Sequence, residues 1–109
     1  MRVPEIQNLD DYTCYLLTYV VEADLRVTPE EKEMILQHVT PEKYERIKHF
    51  IDSRSDYQNL QLIDYYKNEF VTTAEEREQL LKAMSEIAKA DGKTSEMENY
   101  MVRALRKMI

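Results

Sequence analysis

The chain has 109 residues, 43% of them hydrophobic and 33% charged, with a formal net charge of −6. Those totals suit one domain spanning 1–109 that buries a single core, and they exclude a disordered chain. The acidic excess repels phosphate backbones, which excludes non-specific nucleic-acid binding and leaves cations or basic protein surfaces as natural partners.

One glycine and three prolines are too few for a β-rich chain and favour long helices joined by short, capped connections. Helix-start signals recur in chain order. Asn8 precedes "LDD" as a first N-cap, and Thr28 with Pro29 and Glu31 forms the opening "TPEE". Thr40 and Pro41 repeat cap-then-proline, with Val39 placed to staple against Tyr44. "SDYQ" from Ser55, "TAEE" from Thr73 and "SEME" from Ser95 each fit a capping box, in which cap and third residue satisfy each other's backbone N–H groups. Six helices are therefore expected, over 8–23, 29–38, 41–52, 56–71, 74–90 and 96–108.

Apolar spacing agrees. Tyr44, Ile47 and Ile51 share a stripe, as do Leu80, Met84 and Ile87, and Met97, Met101, Leu105 and Met108. Between Tyr12 and Val21 only Thr13 and Thr18 are clearly polar. A first helix apolar all round belongs in the middle of a bundle, with the fifth helix as its neighbour. The expected fold is all-α, a single-domain bundle of about six helices with an internal repeat.

The repeat is short. Ala23, Asp24, Arg26, Thr28, Glu31 and Met34 match Ala90, Asp91, Lys93, Ser95, Glu98 and Met101, each copy placed where one helix ends and the next begins. With these residues the sequence resembles the tellurite-resistance TerB-like family, whose all-helical domains carry Ala-Asp-Gly, a short gap, Ser/Thr and then Glu. "ADGKTSEME" from Ala90 fits that pattern closely, and "ADLRVTPEE" from Ala23 keeps Asp, Thr and Glu but has Leu25 in place of glycine. The resemblance covers about Tyr12 to Ile109. It implies association with resistance to tellurite and other stresses, and metal binding through an acidic surface has been proposed in the family. The function expected of this chain is a non-enzymatic, stress-associated module that binds partner proteins.

Two readings of the repeated corner stay open. In one, Gly92 supplies a left-handed turn, Asp91 bonds turn amides, Ser95 caps the next helix and Glu98 closes its box. In the other, Asp24, Glu31, Asp91 and Glu98 form two carboxylate pairs that converge on a weak divalent-cation site, for calcium or magnesium, which favour oxygen ligands. The loop is not an EF-hand, since it lacks the Asp-x-Asp-x-Asp ladder.

Cys14, inside the apolar first helix, reads as a buried thiol, and it has no cysteine to pair with. His38 and His49 read as cations closing the second and third helices. Eight tyrosines serve the core or a recognition surface, and the Tyr57 and Tyr65 side of the fourth helix suits a protein partner best. Nothing pairs a nucleophile with a base, and no glycine-rich phosphate loop occurs, so catalysis is not expected; an acid/base enzyme using the paired carboxylates is the distant alternative. No stretch has the apolar length of a signal peptide or a membrane span, and the expected setting is soluble and cytoplasmic. The runner-up is a purely structural helical scaffold with no metal dependence.

Overall fold

The computed structural model describes residues 4–22, 28–87, 89 and 96–108, with side chains left out for 96–101. The described regular structure is entirely helical: α1 Leu9–Val21, α2 Pro29–Ile35, α3 Pro41–Asp52, α4 Asp56–Phe70, α5 Ala74–Ile87 and α6 Glu96–Met108. The repeated segments, 23–34 and 90–101, span the α1–α2 and α5–α6 junctions and run into the first turns of α2 and α6.

Local capping sets most of these starts. Asn8 Oδ1 accepts from Asp11 N at 2.9 Å, and Thr40 Oγ1 from Lys43 N at 3.2 Å. Ser55 and Gln58 close a reciprocal box, with bonds of 3.2 and 3.0 Å. Thr73 and Glu76 form another, both bonds at 3.1 Å. Glu76 Oε1 also accepts from the hydroxyl and the backbone N–H of Thr72, and these bonds hold its carboxyl below the usual carboxylate range. The box at Ser95 lies outside the described residues.

Several bounds differ from expectation: α1 runs Leu9–Val21 rather than 8–23, α4 ends at Phe70 rather than 71, α5 ends at Ile87 rather than 90, and α2 differs with a visible cause. α2 ends at Ile35, not at 38, because Gln37 N and His38 N turn back to the Met34 and Ile35 carbonyls, three residues behind, at 3.2 and 3.0 Å. Those tighter bonds end the α-helical ladder. The turn lets Leu36 and Val39 pack onto the core before Thr40 caps α3. His38 thus sits in a turn rather than in the last turn of a helix, 3.7 Å from Asp10 Oδ1.

α1 is the hub. Every residue from Asp11 to Val21 is buried, and α1 packs against each of the other five helices. α5 lies against it as expected, and α3 covers it just as extensively, so the centre is one helix with two broad flanks. A buried helix must satisfy its polar groups internally. Asp11 accepts from Gln7 N at 2.9 Å and pairs with Lys43 Nζ at 3.2 Å. Tyr12 donates to the Ile63 carbonyl at 2.7 Å, and the Tyr15 hydroxyl donates to Asn59 Oδ1. Asn59 Nδ2 in turn donates to the Ile51 carbonyl at 3.2 Å, so one amide ties α1, α3 and α4 together. Cys14 is buried as expected, and burial pushes its thiol up to about 12, which keeps it protonated and unreactive.

Candidate functional site

The first repeated corner is described at both shoulders. On the downstream side, Thr28 caps α2, its Oγ1 accepting from Glu31 N at 3.2 Å while Glu31 Oε1 accepts from Thr28 N at 2.9 Å. Glu31 is only 1% exposed. One of its oxygens is therefore committed to the capping box that the structural reading of the corner requires. Asp24, Asp91 and the side chain of Glu98 lie outside the described residues, as do Leu25 and the Gly92 turn. Of the four carboxylates singled out in the sequence, Glu31 alone can be placed. Among the described residues no group of three or more His, Cys, Asp or Glu side chains is arranged to hold a metal ion.

On the upstream side the structure gathers three residues that the sequence reading passed over. Glu22, the C-cap of α1, brings Oε1 to 3.4 Å from Lys48 Nζ, and the same ammonium lies 3.1 Å from Asp52 Oδ2. Two carboxylates share one cation. Burial pushes the Glu22 carboxyl up to about 7, with the hydrogen bond and charge of Asp52 adding to the rise and Lys48 opposing it. For Asp52, burial acts upward, but hydrogen bonds from Glu22 and Lys48 more than offset it and hold the group below the usual range. Of the two carboxyls, Glu22 therefore takes up a proton the more readily. Glu22 Oε1 is buried without a hydrogen-bond partner. Glu22 directly precedes the Ala23-Asp24 pair, and Lys48 and Asp52 stand one helical turn apart on α3. Only their convergence across 26 residues or more was hidden.

The second feature is the outward face of α4. Tyr57 is 70% exposed and Tyr65 47%, the two large hydrophobic side chains left open to solvent among the described residues. Both are held in place. Gln61 Nε2 donates to the Tyr57 hydroxyl at 3.1 Å, and Tyr65 stands edge-on to buried Tyr66, ring centroids 5.0 Å apart. Between and beyond them Gln61, Asp64, Tyr65, Asn68 and Glu69 line a shallow depression of about 650 Å³. Tyr57, Gln61, Tyr65 and Asn68 recur at helical spacing, so they form one stripe. Aromatic rings amid amides are enriched at interfaces in general, because they bring contact area at little cost in side-chain freedom.

Among the described residues no helix is long and apolar enough to cross a membrane. In comparison with known proteins, the family model described as "Tellurite resistance protein TerB" matches residues 11–109. No curated protein and no solved structure matches.

Proposed function

Because the chain belongs to the tellurite resistance protein TerB family, we propose that it acts as a non-enzymatic, stress-associated module that binds a partner protein. The reading is carried by the stripe on α4, where two tyrosines stay exposed while the five other tyrosines whose side chains are described are buried. An aromatic ring kept in water gains nothing for the core, and a partner that covers it gains the burial. The family's name also brings tellurite stress to this chain as the setting in which to look.

The test compares the intact protein with a Tyr57→Ala/Tyr65→Ala variant, each used as bait in extracts of tellurite-stressed cells, followed by affinity measurement on the purified partner. The expected result is one identified protein whose affinity falls at least about tenfold in the variant, the loss typical of central aromatic anchors. An identified partner that binds both forms equally well removes the α4 surface from the proposal.

A weak divalent-cation site at Asp24, Glu31, Asp91 and Glu98 belongs to the same proposal, with calcium or magnesium held by carboxylate oxygens. Glu31 supports it only through the oxygen not engaged with Thr28 N. The competing reading, a helical scaffold with no ion dependence, draws on that same capping bond. Titration with roughly millimolar calcium or magnesium separates them. Amide signals that shift around 24–31 and 91–98, and no longer do so in Asp91→Asn, favour the cation, and signals that stay in place at both corners favour the scaffold.

A further inference from the structure

The partner's chemistry can be narrowed from the charges around the α4 stripe, an inference that rests on the reading above that this face meets a partner. Three carboxylates, Asp56, Asp64 and Glu69, lie exposed on the same helix. Its one cation, Lys67, is turned toward the end of α6, with Nζ 2.7 Å from the Met108 carbonyl and 2.9 Å from Asp64 Oδ1. Arg54, just ahead of α4, has its guanidinium stacked over Phe50 at 4.0 Å from the ring centroid. The stripe therefore offers π faces and amides, and around it stand three carboxylates and one lysine, Lys67, which itself pairs with Asp64, so the face stays net acidic. Arginine meets all three: it stacks on tyrosine, forks onto a carboxylate and donates to side-chain amides.

We infer that the outward face of α4 is a docking surface for a partner segment that presents arginines, whose guanidinium groups stack on Tyr57 and Tyr65 and are drawn by the acidic excess of the helix. Tyr57 and Tyr65 are separated by about 12 Å along the helix axis. Two arginines about seven residues apart on a partner helix, roughly 10.5 Å, match that span. Lysine, a compact and strongly hydrated point charge, loses the stacking and the fork.

The probe is an alanine-rich helical peptide of about 20 residues, long enough to hold its fold, carrying two arginines seven positions apart. Its matched controls replace both arginines with lysine or with the uncharged isostere citrulline. Titrated into isotopically labelled protein, the arginine peptide is expected to shift amide signals of Tyr57 to Glu69 saturably. Citrulline should weaken binding at least about tenfold, and Tyr65→Ala about fivefold, as expected for loss of one exposed cation–π contact with its packing. Folding of the variant is checked by the unchanged signals of α1. Citrulline binding as well as arginine, shifts centred on the acidic helix starts near Glu30 and Glu75, or no saturable shift at all, would each overturn the inference. A purified partner that needs Tyr57 and Tyr65 while the citrulline control matches arginine leaves α4 as the interface and removes only the arginine. A partner indifferent to both tyrosines removes the interface, and the inference with it.

Discussion

Two polar clusters join α1 to its neighbours, and they are built on opposite terms. Around Asn59 every group is neutral and paired: the Tyr15 hydroxyl meets Oδ1, and Nδ2 meets the Ile51 carbonyl. Around Glu22 the groups are charged, two carboxylates share Lys48, and the buried Oε1 lacks a hydrogen-bond partner. The first cluster fixes three helices in one arrangement, since a fully paired neutral network has no better alternative. The second stores an imbalance whose energy depends on protons and salt. It also adjoins the corner that the family pattern marks. Stiffness and responsiveness are thus assigned to the middle and the C-terminal end of the same hub helix.

The largest effects are expected at the paired cluster. Asn59→Ala removes an acceptor and a donor at once, leaving the Tyr15 hydroxyl buried without its acceptor, while the Ile51 carbonyl keeps the Arg54 N–H at 3.2 Å. A loss of about 3 kcal/mol is expected in urea unfolding. Tyr15→Phe deletes only the hydroxyl and should cost about 1–2 kcal/mol. If Asn59→Ala costs no more than an ordinary surface substitution, the cluster is not the rigid member of the pair.

The charged cluster should answer to pH instead. The Glu22 carboxyl titrates near 7 in the folded chain and near its ordinary value of 4.5 when unfolded. Between those values the folded state holds the extra proton, so stability falls as pH rises from about 4.5 to about 7 and then levels off. Glu22→Gln cannot ionise and should abolish that decline. Relative to it, the parent protein is expected to lose about 1 kcal/mol between pH 5 and pH 8, after allowance for solvent screening of a half-buried group. Urea unfolding of both proteins at the two pH values measures it. A difference between them that does not change with pH breaks the comparison with the neutral cluster.

The helix starts were legible because a cap is local. Thr28, Thr40, Ser55 and Thr73 each bond a backbone N–H three residues on, and the sequence contains both ends of that bond. The burial of α1 was legible for a similar reason, since an unbroken apolar stretch can only face protein on all sides. The end of α2 was not, because the turn at 36–38 is settled by Leu36 and Val39 reaching the core, which is a tertiary event. Glu22, Lys48 and Asp52 were hidden by the same kind of distance: no local rule brings the end of α1 to the end of α3. Tyr12 and Tyr15 read as core, but their partners Ile63 and Asn59 lie 51 and 44 residues away. Of the acidic corner, Glu31 shows how one letter serves two readings, because a capping glutamate and a ligand glutamate occupy the same place in the pattern.

Asp52→Asn offers the smallest and most discriminating change. Asp52 is half exposed, so its loss should alter stability by no more than about 0.5 kcal/mol. Its effect on Glu22 should be plain, because the hydrogen bond and charge of Asp52 are the second and third causes of the raised proton affinity, after burial. In the variant the Glu22 carboxyl should titrate below its present value of about 7 and still above the ordinary 4.5, since burial remains. Side-chain carboxyl carbon shifts followed over pH report that midpoint directly. A midpoint unmoved by the substitution assigns the whole rise to burial, and the two carboxylates then merely sit near one lysine. A midpoint returned to the ordinary value assigns the rise to Asp52, and the corner becomes a true pair whose charge any third group, proton or cation, must balance.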